Sequence, residues 1–275
     1  MDMTNQFVKK DRYEMQDLLQ IMALLRGEGG CPWDQKQTHE SIRNNFLEET
    51  YEALEAIDAK DPAMLREELG DVLLQVVFHA QMEQEAGHFD FGDVCNEICQ
   101  KLIVRHPHIF ADVVAQTSEE VLTNWDQIKM QTKGQKAASE TLESVPKILP
   151  ALMRAAKVQS RAGKAGFDYP DLDWAFRDLQ SEVEELREGI ACQNRENCDE
   201  ELGDLLFAAV NVSRFLKLDA EESLSKACNK FIRRFTQVER LAQQRGVDMK
   251  SASLQELDGL WKEAKQTERA SGVDF

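Results

Sequence analysis

Four acidic residues recur along this 275-residue chain with one fixed offset. Glu49, Glu52, Glu68 and Asp71 each stand 133 residues before an acid of the second half, namely Glu182, Glu185, Glu201 and Asp204. The flanking text repeats as well. LEETYEAL (47–54) and REELGDVLLQVVFHA (66–80) answer to SEVEEL (181–186) and DEELGDLLFAAVNV (199–212). KLIVRHPHIF (101–110) parallels KFIRRF (230–235), and NWDQIK (124–129) parallels LWKEAK (260–265). A repeat this long constrains the fold to two copies of one supersecondary unit. The copies are expected at 1–130 and 148–275, joined by a linker over 131–147 that is mostly polar and lacks apolar periodicity.

Apolar residues fall at helical spacing in both copies. Helices are predicted over 11–27, 40–59, 63–86, 91–105 and 118–131, then over 148–162, 172–190, 196–216, 220–245 and 253–266. Gly (14) and Pro (6) are scarce, and Leu, Ala, Glu, Gln and Lys dominate, a composition that favours helix. The fold expected is therefore all-α, with two tandem helical-bundle modules.

Within each copy the acids come in two pairs. Glu49 and Glu52 are three residues apart and share a helix face, as do Glu68 and Asp71 on the next helix. Adjacent helices joined by a short turn bring the pairs together, a donor set suited to a hard cation such as Mg²⁺. Without a cation the same acids repel and their pKa values rise. An isolated ExxE is usually only a solvated face. Here Asp71 and Asp204 lead into VLLQVVF and LLFAAV, apolar nearly all round and expected to be buried, where an unpaired carboxylate is costly. Gly70 and Gly203 precede both aspartates; close helix packing or room for a ligand would account for them.

These motifs resemble the MazG-type nucleoside triphosphate pyrophosphohydrolases. The likeness runs through CPWDQKQTHESIRNNFLEETYE (31–52), ELGDVLLQVVFHAQ (68–81), RHPHIF (105–110), ALMRAAKVQSRAGKAGFD (151–168) and the Trp261 region. It implies cleavage of NTPs and dNTPs to the monophosphate and pyrophosphate by water attack at the α-phosphate, with Mg²⁺, or alternatively Mn²⁺. It implies metal ligation by Glu182, Glu185, Glu201 and Asp204, and by Glu49, Glu52, Glu68 and Asp71 in the first copy. Phosphate charge needs basic partners. Lys230, Arg233 and Arg234 share a helix face, with Lys101 and Arg105 their thinner counterparts. Trp261 is moved by the resemblance toward nucleotide contact; otherwise it and Trp125 are core residues. Lys157 and Phe167 are further candidates. Homodimers are common in such proteins, which agrees with the extensive apolar faces.

The copies differ at one motif position. The first has Glu48, Glu49 and Glu52; the second has Ser181 in place of the leading Glu, with Glu184 or Glu200 as substitutes. The second copy holds the fuller basic set, and in two-domain relatives the C-terminal domain carries activity. The second is therefore expected to be catalytic and the first structural or regulatory. The rival reading is a nucleotide-sensing protein that binds NTP·Mg²⁺ without turnover.

The remaining features exclude other classes. With 33 basic and 50 acidic residues the net charge is −17, which disfavours a grip on polymeric DNA or RNA. The six cysteines form no CxxC pair or zinc spacing, and the N-terminus lacks an apolar signal core, so reduced thiols in a cytoplasmic protein are expected. No run reaches a membrane span of about 18 apolar residues. Of the five histidines only Glu85–His88 makes an E-x-x-H, too little for a di-iron bundle.

Overall fold

The computed structural model describes residues 7–111, 117, 121, 128 and 137–270. The described helices are α1 (Met15–Arg26), α2 (Pro32–Lys36), α3 (Arg43–Ala59), α4 (Pro62–Ala86), α5 (Phe91–Arg105), α6 (Pro107–Phe110), α7 (Ala138–Glu143), α8 (Ala151–Lys164), α9 (Leu172–Ala191), α10 (Arg195–Phe215), α11 (Ala220–Arg245) and α12 (Leu254–Ala270). No strand occurs among the described residues. The chain is all-α, as the periodicity predicts. It divides into two compact units, 1–129 and 130–275. The helix expected over 118–131 and Trp125 lie outside the described residues.

The heart of each unit is a helical hairpin, α3–α4 in the first and α9–α10 in the second. The repeat reaches into the turns. Lys60 and Gln193, again 133 residues apart, both take a left-handed conformation (φ 53° in each). The next residue of each turn, Asp61 or Asn194, then caps the returning helix. Asp61 accepts from the backbone N–H groups of Ala63 and Met64, and Asn194 from that of Asn197. One further helix braces each hairpin, α1 against α4 and α8 against α10.

The first unit's core joins Met22 of α1, Ile42, and Val77, Phe78 and Met82 of α4. In the second unit Ala175, Ala208 and Val210 are buried along α9–α10, and a separate cluster (Val238, Leu241, Ala242, Leu260 and Ala264) binds α11 to α12. Burial of α4 and α10 differs from expectation. Their inner stripes are covered, but Leu69 and Leu73, and likewise Leu202, Leu206 and Phe207, remain 38–53% exposed. Helices apolar all round need partners on every side, and a single chain supplies only some.

The described part of the segment read as linker is also structured. Its residues 138–143 form α7, Val145 is buried, and Arg161 of α8 donates to the Thr141 carbonyl and to Ser144 Oγ. Leu142 and Val145 at i,i+3 supply a short apolar face that a reading by polar composition overlooks.

Candidate metal and nucleotide site

The hairpin turns set the register that brings acids on facing helices together. In the first unit, carboxylate oxygens of Glu49, Glu68 and Asp71 all lie within 4.8 Å of one another. In the second unit the same holds for Glu182, Glu201 and Asp204. Glu52 and Glu185 stand beside these triads rather than within them. Glu52 is near enough to raise the Glu49 and Glu68 carboxyls, and Glu185 is the leading charge acting on Glu182. Burial is the first cause of the rise in all three raised carboxyls, and neighbouring acids are the next.

Among the described residues no Lys or Arg forms an ion pair with any of these eight acids. The polar help they receive is neutral: Asn197 Nδ2 donates to Glu201 at 2.8 Å, and Ser181 Oγ to Glu185 at 3.0 Å. Three converging carboxylates without a compensating cation are the donor set a hard divalent ion takes up. The residues present therefore fit Mg²⁺ or Mn²⁺ in both copies.

The glycines follow one of their two explanations. A Cβ built at Gly70 or Gly203 would meet nothing within 4 Å, so close packing inside the chain is not their role, and open space is what they border. A glycine of the second hairpin that is tightly packed is Gly189, where a Cβ would come 2.6 Å from Asn197 Oδ1 and 3.2 Å from Cys198 Sγ. There α9 packs closely on α10, just before their turn.

Among the described residues, none of the remaining basic candidates forms an ion pair with a triad acid. Arg233 and Arg234 converge on Glu268 of α12, at 3.5 and 2.5 Å. Trp261 packs on the α11–α12 cluster with its ring 5.2 Å from that of Phe231. Lys230 and Lys157 are exposed. In the first unit Lys101 is exposed and Arg105 half-buried on α5, and Glu48 points into solvent. Glu184, a substitute for the acid missing at Ser181, is paired instead with Arg187 at 2.8 Å, and Glu200 is exposed.

Two features lay outside the sequence reading. In the first unit His39 Nδ1 lies 2.6 Å from His79 Nδ1, and both His39 and His88 contact Glu83 at 2.7 Å. Burial, then His39, lowers the His79 pKa. No E-x-x-H search finds this cluster, since His39 precedes α3 and the other groups belong to α4 and its exit. In the second unit Asp168 is gripped by the Arg214 guanidinium, and Tyr169 donates to Asp178, which pushes the phenol up to about 12.

Known proteins match this arrangement. Residues 37–110 and 175–239 match the family described as the MazG nucleotide pyrophosphohydrolase domain. Both segments contain an acid triad and its hairpin turn. The nucleoside triphosphate pyrophosphohydrolase of Escherichia coli is 47% identical over 256 residues, covering 91% of this chain and 97% of that protein. The nucleoside triphosphate pyrophosphohydrolase/pyrophosphatase MazG of Thermotoga maritima is 43% identical over 250 residues, 91% of this chain and 95% of its own length. With two domain matches and relatives aligned over nearly their full length, the chain belongs to the MazG nucleotide pyrophosphohydrolase family.

Proposed function

We propose that this chain hydrolyses nucleoside triphosphates, ribo- and deoxyribo- alike, to the monophosphate and pyrophosphate. The observation that carries the reading is the uncompensated carboxylate triad, built twice in the same register in a chain of this family. Glu182, Glu201 and Asp204 would hold Mg²⁺, with Mn²⁺ the alternative, and Glu185, oriented by Ser181, stands beside them. The chemistry a bound ion supplies is neutralisation of charge on the phosphates and a lowered pKa for a coordinated water. Water oxygen bonds to the α-phosphorus, the bond from that phosphorus to the bridging oxygen breaks, and pyrophosphate leaves with its electron pair. Acids not engaged with the ion are placed to take the proton from water.

The second unit is proposed as the catalytic one (148–275) and the first (1–130) as structural or regulatory. Support comes from the basic residues Lys230, Arg233 and Arg234 on α11. Glu268, which now holds the two arginines, would have to yield them to phosphate. Ser181 favours a rival role for the second site, binding NTP without turnover, because one acid is replaced by a hydroxyl that serves only Glu185.

A homodimer is proposed as well, from the apolar residues left open on α3–α4 and α9–α10. Six free cysteines agree with a cytoplasmic setting. Among the described residues no helix is long and apolar enough to cross a membrane.

Incubation with Mg²⁺ and each NTP or dNTP, followed by pyrophosphate assay, tests the reaction; release no greater than the blank ends the enzyme reading. Glu182→Gln is expected to abolish release and Glu49→Gln to spare it. Loss confined to Glu49→Gln would reverse the assignment of units.

A further inference from the structure

The cluster of His39, His79, Glu83 and His88 belongs to the first unit alone. At the 133-residue offset that relates the two copies, His39, His79 and Glu83 answer to Leu172, Val212 and Leu216. One copy builds its hairpin with apolar residues at these positions, so the fold does not demand polar ones in the other.

The geometry of the cluster fixes its proton positions. The His39 and His79 rings are parallel within 5° with centroids 4.9 Å apart, and their Nδ1 atoms approach to 2.6 Å. Nitrogens so close on rings so far apart lie edge to edge in one plane, so the contact is an N–H···N hydrogen bond and not a stack. His39 Nε2 donates to Glu83 Oε1 at 2.7 Å, and His88 Nδ1 donates to Oε2 at 2.7 Å. With its Nε2 proton given to Glu83, neutral His39 offers a bare Nδ1, and His79 supplies the proton between them. His79 Nε2 is then a lone-pair nitrogen, and it has no partner among the described residues. The four groups do not converge as a metal centre does: among the described residues, the sets of three ligand atoms within 4.8 Å of one another are the two acid triads. They form a carboxylate–imidazole–imidazole chain that ends in a base.

His39 and His79 line a cavity of about 500 Å³ together with Arg43, Phe46, Val76 and Phe89. That is within the size range of small-molecule sites. Apart from the two histidines, Arg43 and Glu83, its walls are apolar, and no acid of the triad lines it. Arg43, exposed on the first turn of α3, forms no ion pair among the described residues. Of the other charged groups nearby, Glu40 faces His39 from outside the wall, and the α5 side of the wall adds only uncharged Val94.

We propose that this cavity binds a small carboxylic acid with an apolar body, held as the anion with its proton on the histidine chain. The carboxyl O–H bond breaks, and the proton forms an N–H bond at His79 Nε2. The proton on His79 Nδ1 passes to His39 Nδ1, which leaves a His39 cation against the Glu83 carboxylate. The ligand carboxylate then takes the His79 N–H and the Arg43 guanidinium as charge-assisted donors. Its apolar body covers Phe46, Val76 and Phe89. A ligand already ionised in solution draws the same proton from the solvent. In the free site, burial and then His39 hold the His79 pKa below its ordinary value, so His79 is neutral at pH 7.5. Affinity for the anion therefore rises as pH falls toward that value.

The probe is benzoate, titrated calorimetrically into the full chain at pH 7.5 in HEPES and in Tris, whose ionisation enthalpies differ. Wild type is expected to give different binding enthalpies in the two buffers, the sign of net proton uptake, and to gain up to about tenfold in affinity from pH 8.5 to pH 7.5. His79→Gln is expected to lose both the uptake and the pH dependence. Arg43→Gln is expected to weaken binding roughly 10-fold with uptake retained. Circular dichroism checks both variants, and Arg43→Gln, at an exposed position, decides alone if His79→Gln loses helicity. Benzyl alcohol, which has the ring but no carboxyl, is expected to bind without uptake. Absence of benzoate binding, equal enthalpies in the two buffers, uptake with benzyl alcohol as well, or wild-type affinity in Arg43→Gln overturns the proposal.

Discussion

Removing one charge from the second triad is expected to stabilise the metal-free second unit while erasing that unit's response to Mg²⁺. Glu182→Gln preserves shape and removes the charge. Burial, followed by the charges of Glu185, Asp178, Asp204 and Glu201, holds the Glu182 carboxyl above its ordinary range. Oxygens of Glu201 and Asp204 lie within 4.8 Å. At that distance each repulsion is ~0.9 kcal/mol in water's dielectric. Physiological salt, with a Debye length of about 8 Å, roughly halves it. Two pairs together cost about 1 kcal/mol, equivalent to about 2–4 °C in Tm for a domain of this size.

The pH dependence gives the sign. A carboxyl whose folded pKa is raised binds its proton more tightly when folded, so stability is complete below the unfolded value and falls as pH rises through the folded one. The variant's advantage should therefore be present at pH 7.5 and vanish near pH 4. Calorimetry in EDTA at the two pH values reads it directly. Mg²⁺ added at a hundredfold excess over Kd should then stabilise the second unit of wild type by about 2.7 kcal/mol and that of the variant by much less. A variant that melts below wild type in EDTA at pH 7.5, or that gains equally from Mg²⁺, refutes the view of these acids as a cation site.

Other perturbations address other parts of the molecule. His79 has a lowered pKa, so the stability it contributes is present above the ordinary imidazole value of 6.5 and lost as pH falls through its folded pKa. His79→Gln should flatten the acid side of the urea midpoint profile; an unchanged profile removes the histidine pair as the cause. Met22, 1% exposed in the first core, should cost about 2–5 kcal/mol as Met22→Ala, read by urea denaturation. For the proposed homodimer, Leu206→Glu places a charge on the open face of α10 and should halve the mass seen in light scattering; a wild type already of monomer mass ends the dimer reading, and an unchanged dimer mass in the variant locates the interface elsewhere.

What the sequence made legible was what periodicity and register encode. The 133-residue offset between acids carries over to the hairpin turns, where Lys60 and Gln193 share one backbone conformation and Asp61 and Asn194 one capping role. Acids spaced i,i+3 on facing helices converge once that turn length is set. Less legible were features whose parts are far apart in the chain. Nothing local in HESIRNN places His39 against His79, and Asp168 meets Arg214 only because α8 packs on α10. Nothing in the sequence marks Gly189, whereas Gly70 and Gly203 repeat at one position and border open space rather than contact.

The partial burial of α4 and α10 has a physical reason that bears on function. An apolar periodicity records every surface a helix covers in its working state, including surfaces formed with another molecule. Leu69 and Leu73 in the first unit, and Leu202 and Leu206 in the second, stand two positions before and two after the triad aspartates. The acids and the open leucines therefore share the same helical turns, beside glycines with room around them. An association that covered those leucines would also exclude water from the carboxylates and deepen their demand for a cation. Metal affinity and self-association should thus be coupled, and Leu206→Glu should weaken Mg²⁺ binding although it touches no ligand. Isothermal titration of the monomeric variant with Mg²⁺ measures that coupling, and affinity equal to wild type would show that each triad is complete within a single chain.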